Sequence, residues 1–322
     1  MIRSLAVVLG LIACGGGSKP VPAGAQVGPA LGAALAAADE MRAPWRCAAS
    51  DGPSHPDETL TVGEHSWNIA GHTLQRDAKA KEIVIGAIAD TGQAAAPTLA
   101  ALGRLRTRLA RADLVLALGG MGTTQAELEA SLGALGDRAP FPILALPGDL
   151  ESVGALAAAV KTLRGRGIHV IDGRLIHTIE LPGVTIAAIA GAGAASRLVA
   201  GSDGCTYEDQ DVATAITGLT GKRGIRIVAS AEAPRTSRGG EPSGELALTA
   251  TAGQEIDVAL HGPTTEAASR ARAGARHGDA VALTPGTADA TPRLPGPVIA
   301  PTAGMLTVSG EAWTWKPIAD AE

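Results

Sequence analysis

Aromatic residues are nearly missing from this 322-residue chain, which has one Phe, one Tyr and four Trp, 2% in all. Base stacking needs aromatic faces and a cationic groove needs clustered Lys and Arg. No basic block interleaved with aromatics occurs, so nucleic acid is not an expected partner. The formal net charge is only −5. Cysteine is scarce too, at three residues. With Phe and Tyr all but absent, the core has to come from Ala, Val, Leu and Ile. At 46% hydrophobic residues there is enough of them to bury a substantial core. The length suits one large or two modest domains.

The N-terminus places a charge, Arg3, before the apolar run Leu5–Ala13, in signal-peptide order. That run is too short for a permanent spanning helix, which needs about 20 apolar residues. Leu11-Ile12-Ala13-Cys14 resembles the bacterial lipobox, in which a peptidase cleaves before a lipid-modified cysteine. The resemblance implies a signal peptide over residues 1–13, with acylated Cys14 and a Gly-rich tether over 14–26. The lipid bilayer of the cell envelope is then the expected partner. Gly15 in place of Asp resembles the sorting rule that sends lipoproteins to the outer rather than the inner membrane. Cleavage removes Arg3 and brings the net charge to −6. Cys47 and Cys205 remain, an even pair in an oxidising compartment. A disulfide between them is expected, with two buried free thiols as the alternative.

Residues 27–80 read as an N-terminal extension. It holds a short helix over Val27–Arg42, stopped by Ala43-Pro44, then a stretch from Trp45 to Gln75 with no clear period and at most one hairpin. From residue 81 to 322, short β-branched runs alternate with Ala/Leu helices: strands near 82–89, 114–118, 143–146 and 168–171, helices near 97–111, 124–135 and 153–164. After Leu175 strands follow one another closely. The expected fold class is α/β, a two-sheet sandwich flanked by helices.

Five segments at predicted strand ends carry a second resemblance. They are Ile88-Ala89-Asp90-Thr91-Gly92, Leu118-Gly119-Gly120, Pro147-Gly148-Asp149-Leu150-Glu151, Val228-Ala229-Ser230-Ala231-Glu232 and Leu260-His261-Gly262-Pro263-Thr264-Thr265. In order and spacing, residues 83–318 are similar to the calcineurin-like metallophosphoesterases. Their pattern runs D-x-H, GD, GNH[DE], a late His and GH-x-H around a dinuclear metal site. The resemblance implies that fold and, for intact members, metal-dependent hydrolysis of phosphoric esters.

Such chemistry needs a bridging carboxylate, several further ligands and a proton donor for the leaving group. Carried over by position, Asp90 is the only ligand kept. Gly92 stands for a His, Gly120 for the bridging Asp, Asp149 for the Asn and Leu150 for the acid His. Ala231 (or Glu232, one residue on), Pro263 and Thr265 stand for the late histidines. Gly, Ala, Leu and Pro side chains offer no electron pair to a metal. The expected protein is therefore catalytically inert, without a cofactor, and acts by binding an envelope protein or small ligand. The alternative is a hydrolase with a rebuilt, mononuclear site. There, Asp90, Asp149, Glu151, Glu232 and His261 would hold one Mn²⁺, Mg²⁺ or Ca²⁺.

Overall fold

The structure is a computed structural model that describes residues 45–76, 79–199, 202–234, 256–262, 270–277, 280–291 and 300–320. Cys14, the expected helix at 27–42, Pro263 and Thr265 lie outside the described residues.

Apolar runs buried on both faces make the centre of the smaller sheet. β5 (Ile83–Ile88), β6 (Leu114–Leu118) and β7 (Ile143–Leu146) are buried at every position and pair in parallel, as strands covered on two sides must be. β8 (Val170–Asp172) extends this sheet on one side. β16 (Thr302–Ser309) and β17 (Ala312–Ala319) extend it on the other, giving six strands.

The crossovers are α1 (Ala96–Arg108), α2 (Gln125–Gly136) and α3 (Val153–Gly165). α2 opens on a capping box, with the Thr124 hydroxyl on the Glu127 N–H and the Glu127 carboxylate returning to the Thr124 N–H. Ser152 caps α3 in the same way through the Ala155 N–H.

The larger sheet has nine strands. At its centre β10 (Val184–Ile189), β12 (Ile225–Ser230), β13 (Val258–His261) and β15 (Ala280–Gly286) pair in parallel, with β14 (Arg270–His277) antiparallel at one edge. β9 (Thr178–Leu181) lies antiparallel to β10.

Beyond β9 come β4 (Thr73–Arg76), β3 (His65–Gly71) and β2 (His55–Val62). The stretch from Trp45 to Gln75 is thus more regular than its sequence suggests. It is a three-stranded meander, and β4 pairs in parallel with β9. Residues 55–76 belong to the larger sheet rather than standing apart from residues 81–322. The sequence signal was weak because β2 is an edge strand that reads His-Pro-Asp-Glu-Thr-Leu-Thr-Val, buried only at its two ends. Trp67 and Ile69 of β3 supply its buried side.

Period-2 alternation sorts these side chains into layers. Ile85, Leu116 and Leu144 face Ile186, Ile227 and Leu260 across the gap between the sheets. Val84, Val115 and Ile143 turn outward to Leu102 and Leu105 of α1, Leu132 of α2 and Leu156 of α3. On the outer face of the larger sheet, Ala187, Ile189 and Val228 meet Val212 and Ile216 of α4 (Asp209–Thr217). The result is the expected helix–sheet–sheet–helix sandwich.

A disulfide joins Cys47 to Cys205, closing a loop with a sequence separation of 158. It sits beside the short parallel pair β1 (Trp45–Arg46) and β11 (Cys205–Thr206). Nearby, the rings of His72 and His177 stack with centroids 4.1 Å apart, and His177 Nε2 lies 2.9 Å from the Cys47 carbonyl. Burial, and then the neighbouring His72, hold the His177 pKa below the usual histidine value. Two arginines of α1 are tied to the end of β17 and the residue after it. Arg104 makes a bidentate pair with Asp320, and Arg108 donates to the Ala319 carbonyl.

Candidate functional site

The C-terminal ends of β5, β6 and β7 meet those of β12 and β13 along one seam, where the described residues of the five motif segments converge. The packing there is close. A Cβ built on Gly119 would stand 2.6 Å from Ala231 Cβ and 3.3 Å from the Gly148 nitrogen. One built on Gly262 would stand 2.6 Å from the Ala231 carbonyl oxygen. Loops of the two sheets therefore interlock directly.

Asp90, just past β5, adopts φ +54°, a strained conformation for a residue with a side chain. Its Oδ2 accepts from Thr287 Oγ1 at 2.8 Å, and its backbone N–H donates to the Gly119 carbonyl. Gly92 and Gly120 leave no room for a side chain. A Cβ on Gly92 would lie 2.8 Å from the carboxyl carbon of Asp289, so that carboxylate fills the side-chain space. It is held there by Thr98 Oγ1 at 2.9 Å and by the Thr291 N–H and hydroxyl. Gly120 sits at φ +69°, where a Cβ would lie 2.9 Å from Asp90 Cα. Backbone occupies the place where a bridging carboxylate would begin.

The acidic residues are likewise engaged. Glu151 is buried, with Oε1 accepting from the Met121 N–H at 2.7 Å and Oε2 from the Gly148 N–H at 2.9 Å. Burial, only partly offset by those two N–H groups, pushes its pKa up to about 7. Asp149 and Glu232 share one cation. Arg197 Nη2 donates to Asp149 Oδ2 at 3.1 Å and Nη1 to Glu232 Oε2 at 2.6 Å. Burial works against the guanidinium charge. Attraction to Glu232 and then Asp149 outweighs it, so the Arg197 pKa is raised. His261 is buried, with Nδ1 at 2.7 Å from the Gly262 carbonyl. Leu150 and Ala231 occupy their places with no polar atom to offer.

The seam therefore gathers Asp90, Asp149, Glu151, Glu232 and His261 at strand ends, yet does not arrange them as a metal cage. Among the described residues no group of three or more His, Cys, Asp or Glu is disposed to hold a metal ion. A dinuclear centre does not fit. Its side-chain space is filled by Asp289 and by backbone, and the oxygens of Asp149, Glu151 and Glu232 already take N–H donors. Arg197 and Asp289 went unnoticed in the sequence. One is a lone Arg in a Gly/Ala-rich loop and the other lies in a Thr-rich turn, so only the fold brings them to the seam.

Layer order, sheet topology and the strand-end seam define a metallophosphoesterase-like fold. Solved structures with this architecture include TT1561 of Thermus thermophilus, with TM-score 0.50 and 13% identity over 74% of this chain and 99% of that one. GAP50, the anchor in the inner membrane complex of Plasmodium, gives 0.51 at 10% identity over 76% and 86%. Purple acid phosphatase PPD1 from yellow lupin (Lupinus luteus) seeds is similar at 0.49 and 10% identity, over 84% of this chain and 66% of that one. At such identities the likeness is one of fold alone. No protein-family model matches the chain, and no curated protein matches it by sequence.

Proposed function

We propose that this chain is a lipid-anchored protein of the bacterial envelope that works by binding and does not hydrolyse phosphoric esters. The observation that carries the reading is the filled ligand space at the seam. Glycine, leucine and alanine stand where ligands and the proton donor would be needed, and Asp289 and the Asp90 backbone occupy the room beside Gly92 and Gly120. A two-metal hydrolase has to keep its ions about 3.5 to 4 Å apart and one position open for water. The seam supplies neither the bridge nor the acid. The anchor follows from Leu11-Ile12-Ala13-Cys14, and acyl chains, at about 0.8 kcal/mol per buried CH₂, would hold the body at a bilayer, with the outer membrane as its site. An envelope protein or a small ligand would be the partner bound.

Two measurements test this. Cells fed labelled palmitate should label the full-length protein and not Cys14→Ser; label on the variant would refute the anchor. Purified protein should carry no stoichiometric metal by elemental analysis. It should also leave phosphomonoesters and diesters intact in Mn²⁺ or Mg²⁺. One bound metal per chain, with hydrolysis lost in Asp90→Ala and Asp149→Ala, would establish a rebuilt-site phosphoesterase instead.

A further inference from the structure

The turn between β3 and β4 is held to β9 by backbone bonds and by a pair of rings. The His72 carbonyl accepts from the His177 N–H at 2.9 Å and from the Thr178 N–H at 3.1 Å, just ahead of the parallel rungs Thr73–Thr178, Leu74–Ile179 and Gln75–Glu180. The two imidazoles lie face to face, 4.1 Å apart with their planes 5° from parallel. His72 Nδ1 is 3.2 Å from the Leu175 carbonyl, and His177 Nε2 is 2.9 Å from the Cys47 carbonyl. One N–H on each neutral ring meets both contacts. We propose that the His72–His177 stack is an acid-sensitive latch: two neutral rings close the β3–β4 turn on β9, and two protonated rings repel each other and release it.

Histidine is the side chain that ordinarily changes charge between about pH 5 and 8. Both rings are half-buried, so two cations at the stacking distance would be poorly screened by water. The pair can take one proton, and the second is the costly one. Burial and then His72 hold the His177 pKa down, while the Cys47 and Arg174 carbonyls and the Asp211 carboxylate of α4 act in the opposite sense. That carboxylate is already engaged. It accepts from Arg46 Nη2 at 2.7 Å and from the Glu208 N–H at 2.8 Å, and Arg46 also stands 3.4 Å from Glu208. Beyond β8, Arg174 Nε and Nη2 donate to Asp172. On β2, Asp57 accepts from the Gly71 N–H at 3.1 Å, and His55, opposite Gly71, has Nδ1 2.7 Å from the Pro56 carbonyl. Each of Asp57, Asp172 and Asp211 thus already takes an N–H donor.

The opening is local. Trp67, Ile69 and Leu74 stay packed between the sheets, and Arg76, at the far end of β4, stays paired with Asp113. The bond to Cys205 keeps Cys47 in place. The test follows amide exchange by NMR in full-length protein in detergent, at about pH 7.5 and about pH 5, with rates corrected for the intrinsic effect of pH. In wild type, protection of the His177 and Thr178 amides should fall roughly tenfold or more in acid, while the Leu116 amide in the middle of β6 holds. His72→Phe keeps a flat ring against His177 but cannot gain a charge. Its protection at the same two amides should change less than about twofold.

Equal protection of the wild-type amides at both pH values would overturn the latch. So would an equal fall in His72→Phe, which would move the effect to another titrating group such as His55. A fall shared by Leu116 would mean that the whole body opens, and would overturn it too. If His72→Phe does not fold, His177→Gln decides, because one chargeable ring of the pair remains: a flat response supports the latch, and a fall of wild-type size at Thr178 overturns it.

Discussion

Glu151 should make this protein less stable as pH rises from mildly acidic to neutral. Its carboxyl is buried under the Met121 and Gly148 N–H groups with a pKa pushed from 4.5 up to about 7. A pKa higher in the folded than in the unfolded chain means that the native state binds more protons between those values. The contribution is fully present below pH 4.5 and is lost as pH climbs through 7. At 1.36 kcal/mol per pKa unit the interval corresponds to about 3 kcal/mol. His177 works the other way, since its lowered pKa makes the folded state gain stability as pH rises. The assay is therefore a difference: urea unfolding of wild type and Glu151→Gln at closely spaced pH values from 4 to 8. The variant should be weaker at acidic pH by roughly 1–3 kcal/mol, because an amide nitrogen cannot accept from a backbone N–H. Its deficit should shrink toward pH 8 as the wild type loses its advantage. A deficit that stays constant across the range would refute the assignment.

Three other outcomes are expected. Gly120→Asp, which restores the family carboxylate on paper, should cost about 2–5 kcal/mol, from a side chain forced into left-handed backbone and against Asp90 Cα. Metal binding by a stable Gly120→Asp protein would show that the space is not closed. Cys47→Ser should cost up to about 5 kcal/mol in the chain-entropy model for so long a loop, read by denaturant midpoint with and without reductant. Insensitivity of wild type to reductant under unfolding conditions would argue against the bond. Trp67→Ala should cost about 3–5 kcal/mol, as a fully buried large side chain of β3 is removed. A loss below 1 kcal/mol would mean that the meander is not packed as part of the sheet.

Strand and helix positions were legible wherever an element is buried on a consistent face. Leu114–Leu118 and Ile143–Leu146 could be read to the residue, because short continuous apolar runs bounded by Gly, Pro or Asp have few alternatives. The β2–β4 meander was obscured by exposed edge positions. α4 was missed because its nine residues bury little beyond Asp211, Val212 and Ile216. At the seam, the absence of ligating side chains at Gly92, Gly120, Leu150 and Ala231 is plain from the sequence. What takes their place is not. Arg197 lies 48 residues from Asp149 and 35 from Glu232, and Asp289 reaches Gly92 across most of the domain. Pairings set by tertiary folding leave no local pattern.

The disulfide also decides how the body responds to mechanical load. A pull applied at Trp45 reaches, within two residues, Cys47, which is covalently fixed to Cys205 in the interior of the sequence. Tension then passes through a bond that does not yield at forces able to unzip strand hydrogen bonds. The β2–β4 meander, otherwise the first element to be peeled from its sheet edge, lies beyond that point and carries none of it. A body pulled at Trp45 would be gripped at β11, not unravelled from β2.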